Sequence, residues 1–178
     1  LFYINKCEAH TITGSTNKMA RTVRTKVYLF NELSKEVQQK VNDKNRQNNL
    51  MDEWWESTYE DAANVKLKLT GFDIDRGSYC NGEFIGDAED TARKILEEHG
   101  KDCETYKTAA LFIDERNSLD IDEEDEKLTD LEDEFLKNIL QDYLKMLREE
   151  YDYQWSDDAV KDTIESNEYE FTKEGNRF

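Results

Sequence analysis

The feature that most constrains this chain is a long stripe of apolar side chains in its C-terminal half. The stripe recurs at steps of three and four residues, and no proline occurs in the 178 residues to interrupt a helix. This period is that of one face of an α-helix, and a stripe this wide is typical of a deeply buried helix. The spacing therefore predicts one long amphipathic helix from about Asp122 to Tyr153. The stripe comprises Leu128, Leu131, Phe135, Ile139, Tyr143, Leu147 and Tyr151, with Leu136, Leu140 and Leu144 beside it.

Shorter patterns predict the remaining elements. Runs rich in β-branched and aromatic residues favour strands, and a Ser or Asp before a helical period marks a helix start. We predict strands at Val23–Phe30, at two places between Leu67 and Ile85, and at Tyr169–Thr172. We predict helices after a cap at Asn31 or Ser34, over Met51–Val65, after Asp87, over Thr105–Phe112 and after Ser156.

Together these elements predict an α+β fold, in which a small antiparallel sheet packs with several helices, including the long C-terminal one. The length suits a single domain, which we place at residues 22–178, with a helical C-terminal half. Residues 1–21 are interpreted as an N-terminal extension rather than part of the fold, since Met19 precedes the first strand-like segment.

The charge of the chain is strongly negative and unevenly distributed. The net charge is −18, which divides into +5 for residues 1–48 and −23 for residues 49–178. The three cysteines, Cys7, Cys80 and Cys103, are far apart and show no metal or redox spacing, so we expect free thiols in the cytoplasm. No segment has the apolar length of a membrane span, and we expect no membrane partner.

Catalytic and metal-binding patterns are lacking in the sequence. Of the two histidines, His10 lies in the N-terminal extension and His99 stands at a predicted helix C-terminus, where a cation is favoured, so we interpret both as structural. No glycine loop for phosphate is present. Asp120, Asp122 and Glu124 alternate as in a calcium loop, but Leu131 stands where the bidentate glutamate belongs. We therefore predict no catalytic residue, no metal and no cofactor.

The most specific charge feature is the segment Asp120–Glu134, which holds ten acidic residues and one lysine. As a helix it would spread over about 22 Å, a charge density comparable to that of duplex DNA. Such a run is usually a solvated face or an acidic loop that keeps a protein in solution, and this alternative stays open. The binding interpretation assigns the contact to Asp120, Asp122, Glu123, Glu124, Asp125, Glu126, Asp130, Glu132, Asp133 and Glu134.

One aromatic residue joins this predicted binding set. Trp54 and Trp55 are neighbours, and on a helix they would point about 100° apart, so that both reach a core only if the buried face is broad. A core position is the alternative interpretation. An exposed Trp54 beside acidic residues would suit an interface hot spot.

The order of a strand, Phe30-Asn31-Glu32-Leu33-Ser34, a helix and Asp52-Glu53-Trp54-Trp55-Glu56 resembles a loose group of small proteins of bacteriophages and mobile elements. These proteins are often described as antitoxins of a toxin–antitoxin stability system. The resemblance covers residues 22 to about 86 best, and it implies no catalytic residue. It implies a phage accessory protein.

Charge and resemblance together lead to one expectation. We expect a non-catalytic inhibitor that binds a basic surface of a host defence nuclease or other nucleic-acid-handling protein, of anti-CRISPR or anti-restriction type, by nucleic-acid mimicry. Direct binding to nucleic acid is not expected, because like charges repel, and no oligomeric state is assigned. The alternatives are an antitoxin that neutralises a cognate toxin by direct binding, and a structural or regulatory phage protein.

Overall fold

A computed structural model describes residues 25–51, 53–119 and 124–178, and it confirms the α+β class. The boundary predicted after residue 21 lies outside the described residues. A single 3-10 turn at Phe30–Glu32 follows the first strand. The strands are β1 (Tyr28–Leu29), β2 (Leu67–Asp73), β3 (Tyr79–Phe84) and β4 (Glu170–Phe171). The helices are α1 (Lys35–Asn49), α2 (Glu56–Asn64), α3 (Ala88–Glu98), α4 (Glu104–Asn117), α5 (Glu124–Gln154) and α6 (Asp157–Ser166).

The strands form two separate antiparallel ribbons. β2 pairs with β3 from Leu67 opposite Phe84 to Asp73 opposite Tyr79, with an irregularity between Leu69 and Gly71. β1 pairs with β4, which places Tyr28 opposite Phe171. The predicted strand at the end of the chain is therefore present, although it is only two residues long.

The predicted long helix is present as α5 and forms one side of the main hydrophobic core. Phe135, Ile139, Tyr143 and Leu147 are buried, as the stripe requires. The Phe135 ring stacks on Phe112 of α4, with 4.4 Å between ring centroids. The main core lies between α5 and the ribbon and helices that precede it, from α2 to α4.

A second cluster of buried side chains joins the two ends of the described chain. It contains Phe30, Leu33, Val41, Val160, Ile164 and Phe171, which come from the turn after β1 and the residue that follows it, α1, α6 and β4. Arg46 of α1 reinforces this junction, since it donates to the Trp155 carbonyl at 2.6 Å and to Asp157 at 2.5 Å.

Helix starts follow the predicted caps. Asp87 accepts from the Asp90 N–H at 2.7 Å, and Ser156 accepts from the Ala159 N–H at 3.2 Å. Ser34 is the N-cap of α1, so the choice between Asn31 and Ser34 falls on Ser34. The side chains of Asp87 and Ser156 satisfy N–H groups that a helix start leaves without partners, whereas the Ser34 side chain makes no capping hydrogen bond.

Three boundaries were predicted wrongly. The helix expected to end at Phe112 continues as α4 to Asn117. The helix expected from Met51 begins only at Glu56, because the Glu56 N–H closes a turn on the Glu53 carbonyl at 2.9 Å. Trp54 and Trp55 therefore do not share a helix. The strand expected over Val23–Phe30 is limited to Tyr28–Leu29 within the described residues, because the chain turns at Phe30 to bury its ring.

Candidate functional site: an acidic groove along α5

The predicted acidic segment leads into the first turns of α5. Asp120, Asp122 and Glu123 lie outside the described residues, and so do the side chains of Glu124 and Asp125. In the part that is described, Glu126, Asp130, Asp133 and Glu134 are exposed and Glu132 is half-buried. Glu126, Asp130 and Glu134 follow one another at steps of four residues, and each step rises about 6 Å along the helix.

These carboxylates are not neutralised within the described protein. Asp130, Asp133 and Glu134 form no ion pair with any residue that the structure describes. Other helices of the chain pair their acids internally, as Glu36 does with Lys40 at 2.9 Å and Glu89 with Arg93 at 2.5 Å. The negative charge at the start of α5 therefore remains available to a partner.

Three adjoining depressions form a groove along α5. The first lies between α5 and α4 and has a volume of about 270 Å³. It shares Asp142 with a second, of about 400 Å³, at the junction of α3 and α4. The second shares Asp61, Met146 and Glu149 with a third, of about 430 Å³, beside α2. On α5 the lining runs from Leu131 to Glu150, which corresponds to about 28 Å of helix.

The lining of this groove, which we call the acidic groove, carries eight carboxylates and one lysine, Lys145. The carboxylates form two walls of four. Three of them form an ion pair with a lysine of their own helix, and the other five form none with a lysine or arginine of the described residues, so the groove keeps a net negative charge. Glu134, Asp142, Glu149 and Glu150 come from α5, and Asp61, Glu98, Glu104 and Glu115 come from α2, α3 and α4.

A partly buried polar network holds the two walls together beneath the second depression. Asp61 accepts from the Tyr143 hydroxyl at 2.8 Å, and its other oxygen lies 3.5 Å from Nε2 of His99. The His99 imidazole holds the pKa of Asp61 below its ordinary value, partial burial of the carboxyl opposes this effect, and the Tyr143 hydroxyl adds to it. The carboxyl of Asp61 is thus kept ionised at the floor of the groove.

His99 belongs to this network through both of its ring nitrogens. Its Nδ1 lies 2.7 Å from Oγ1 of Thr105, and Nε2 is buried facing Asp61. Only 10% of the side chain is exposed. Both ring nitrogens are therefore directed at the scaffold, and within the described residues no group of three or more His, Cys, Asp or Glu side chains could hold a metal ion.

Asp142 lies where the first two depressions meet. The Thr108 hydroxyl donates to its carboxylate at 2.6 Å. Burial raises the pKa of Asp142, and this hydrogen bond opposes the rise. A cation that entered the groove here would find a partly desolvated carboxyl group, whose attraction for charge is stronger than that of a fully hydrated one.

Trp54 is placed away from the acidic segment, in a row of aromatic rings. It is half-buried, and its ring contacts Trp55 and Phe72, each with 5.6 Å between centroids, and Tyr151 with 5.5 Å. It packs against the main core, as the core interpretation expects, and its role in an interface stays a prediction. The predicted contact set is therefore split: its acidic residues lie at the start of α5, and Trp54 precedes α2 and contacts Tyr151 near the end of α5.

Several residues of the groove could not be found from the sequence. Asp61, Glu98, Glu104 and Glu115 reach it through the packing of α2, α3 and α4 on α5, which leaves no local signal. Asp142 and Glu149 had a usable signal, because they lie seven residues apart beside the apolar stripe, a spacing that keeps them on one helix face.

Among the residues that the structure describes, no helix has the length and apolar content that a membrane crossing requires. Comparison of the sequence with protein-family models and with curated proteins, and of the fold with solved structures, gave no match.

Proposed function

We propose that this chain is a non-catalytic accessory protein of phage type that binds and inhibits a nucleic-acid-handling protein, such as a host defence nuclease. The observation that carries the proposal is the acidic groove, in which eight carboxylates and one lysine line the two walls. The partner's contribution is a basic surface that would otherwise bind nucleic acid. The acidic groove and the exposed carboxylates of α5 occupy that surface.

Two rows of negative charge on either side of a groove present a basic surface with the same sign of charge as the two phosphate backbones of a duplex. Binding to DNA draws most of its affinity from phosphate contacts, and a partner evolved for phosphates offers Lys and Arg at matching positions. Complementary charge also speeds association, so that an inhibitor of this kind competes with nucleic acid for the same site.

The place of action follows from the partner. A nuclease of the host acts in the host cytoplasm, and the inhibitor works in the same compartment. There free thiols such as Cys80 and Cys103 persist, because cytoplasmic reductants keep them reduced.

The decisive experiment is capture of partners from host cells with the intact chain as bait, followed by mass spectrometry. The test variant reverses three groove carboxylates together, as Glu115→Lys, Glu134→Lys and Glu149→Lys. Its matched control reverses three exposed acids outside the groove, as Asp162→Lys, Glu170→Lys and Glu174→Lys. Both variants change the net charge by the same amount, and circular dichroism checks that both are folded.

We expect a nucleic-acid-handling protein to be recovered with the native chain and with the control, and to be lost with the groove variant. Added duplex DNA or RNA should release the captured protein. Recovery that is equal with both variants, or that duplex does not compete, would show that the acidic groove is a solvated surface and the proposal is wrong.

A further inference from the structure

A row of aromatic rings extends from the groove end of α5 to the surface. The Tyr151 ring contacts the Trp54 ring, with 5.5 Å between ring centroids. It also stacks on the Trp155 ring, with 6.4 Å between centroids and an angle of 7° between the two ring planes. Trp155 is 40% exposed. Neither Tyr151 nor Trp155 belongs to the two buried clusters, so the Trp155 ring is not explained by core packing.

The Trp155 ring is held by a fixed backbone. Arg46 donates to the Trp155 carbonyl at 2.6 Å, and Asn49 donates to the Gln154 carbonyl at 3.3 Å. The guanidinium of Arg46 also binds Asp157, so its positive charge is already paired with a carboxylate. A ring that is pre-positioned in this way loses little freedom when a ligand binds it.

The chain already pairs cations with aromatic rings elsewhere. Arg177 lies 3.5 Å from the centre of the Tyr169 ring, and Lys26 lies 4.7 Å from that of Tyr28. No cation of the described residues occupies the corresponding position over Trp155 or Tyr151. Tyr151 covers one part of the indole, and the exposed part is open to a cation from outside.

The surroundings of the ring favour a positive ligand. Asp152 and Asp158 are exposed and Glu150 is half-buried, all close to Trp155 in sequence on α5 and α6. Glu150 is also the last residue of α5 that lines the acidic groove, so the aromatic row begins where the groove ends.

We propose that Trp155 and Tyr151 form a binding site for an arginine side chain of the basic partner. The proposal rests on the proposed function, since it takes the partner of the acidic groove to be basic. A guanidinium is planar and weakly hydrated, so it stacks on the indole and directs its N–H groups to neighbouring carboxylates. Lysine offers a hydrated point charge and gains less from the ring. The site therefore selects arginine over lysine at one position of the partner.

The test uses an oligo-arginine and an oligo-lysine peptide of equal length, titrated calorimetrically into the native chain. We expect the arginine peptide to bind about two- to fivefold more tightly, which is the effect of one cation–π contact at an exposed site. Trp155→Ala should remove this preference. The matched control is Phe178→Ala, which removes an exposed aromatic ring elsewhere and should keep the preference.

The arginine site is overturned if the native chain binds both peptides equally well. It is also overturned if Trp155→Ala still binds the arginine peptide more tightly than the lysine peptide. The triple reversal of Glu115, Glu134 and Glu149 separates this result from the proposed function. We expect it to weaken both peptides equally and to leave the preference intact. If it leaves both affinities unchanged while the preference depends on Trp155, the groove fails and the arginine site stands. If neither peptide binds the native chain, both proposals are wrong.

Discussion

The hydroxyl of Tyr143 on α5 lies 2.8 Å from Oδ2 of Asp61 on α2 and donates a hydrogen bond to it. Tyr143 is fully buried, while Asp61 reaches the floor of the acidic groove. Asp61 also faces His99, which follows α3. One carboxylate therefore connects three helices and fixes the separation of the groove walls.

Tyr143→Phe should destabilise the chain by about 1–3 kcal/mol, because it deprives a partly buried carboxylate of a donor. The ring stays, so no cavity forms, and the loss of stability results from the missing hydrogen bond. Urea unfolding followed by circular dichroism measures the change. A free energy of unfolding equal to that of the native chain would show that water replaces the hydroxyl at no cost.

Asp61→Asn should flatten the acid side of the stability curve. The pKa of Asp61 is lowered in the folded chain, chiefly by His99, so this carboxyl binds its proton more readily when unfolded. Its stabilisation is present above the unfolded pKa, about 3.9, and is lost as the pH falls through the lower folded value. Asp162→Asn, at an exposed acid of α6, should keep the native slope. Equal slopes in all three proteins would contradict the assignment.

The two described cysteines should differ sharply in reactivity. Burial raises the pKa of Cys80 to about 11, whereas Cys103 is exposed. Since the thiolate is the reactive form, a chromogenic thiol reagent at pH 8 should titrate one thiol promptly in a Cys7→Ser chain, and the second only after unfolding. Adding Cys103→Ser should abolish the prompt phase. A prompt phase that persists would mean that Cys80 is accessible in the folded protein.

Local features of this fold were readable from the sequence, and long-range ones were not. The period of three and four residues located α5, because a buried helix needs that stripe whatever it packs against. Asp87 and Ser156 marked helix starts, since a cap is made within four residues. Trp54 and Trp55 misled the prediction, because an acceptable helical pattern ran through Met51–Val65 while the rings are placed by Phe72 and Tyr151, which are distant in sequence.

In the acidic groove, too, local features could be predicted from the sequence and long-range ones could not. Half of its carboxylates come from α5, and their charge was visible in the sequence. The other half depend on how α2, α3 and α4 lie against α5, which is decided by the core. The aromatic row beside the groove depends on Arg46 and Asn49 of α1, residues that bind the α5 end from more than a hundred positions away.

Gly82→Ala should lower the free energy of unfolding by about 1–3 kcal/mol, as overpacking does in a tight core. A Cβ on Gly82 would lie 2.8 Å from the Lys68 carbonyl oxygen and 2.9 Å from Leu140 Cδ2, so α5 approaches the ribbon too closely for a methyl group. Gly77→Ala is the control, because nothing lies within 4 Å of its Cβ position. Chemical denaturation compares the two. Equal stabilities would mean that α5 shifts away from β3 without cost.

Asp130→Asn, Asp133→Asn and Glu134→Gln, combined in one chain, should leave the fold intact and should not lower its melting temperature. These acids form no ion pair with a described residue, and like charges three or four positions apart on a helix cost about 0.2–0.5 kcal/mol per pair. Relief of that repulsion should raise the melting temperature at low salt, and the gain should shrink as salt screens the charges. Capture of the partner should weaken, together with its salt dependence. Scanning calorimetry at two salt concentrations measures the change in melting temperature. A clearly lower melting temperature would assign these carboxylates to the fold, and the charge at the start of α5 would then not be reserved for a partner.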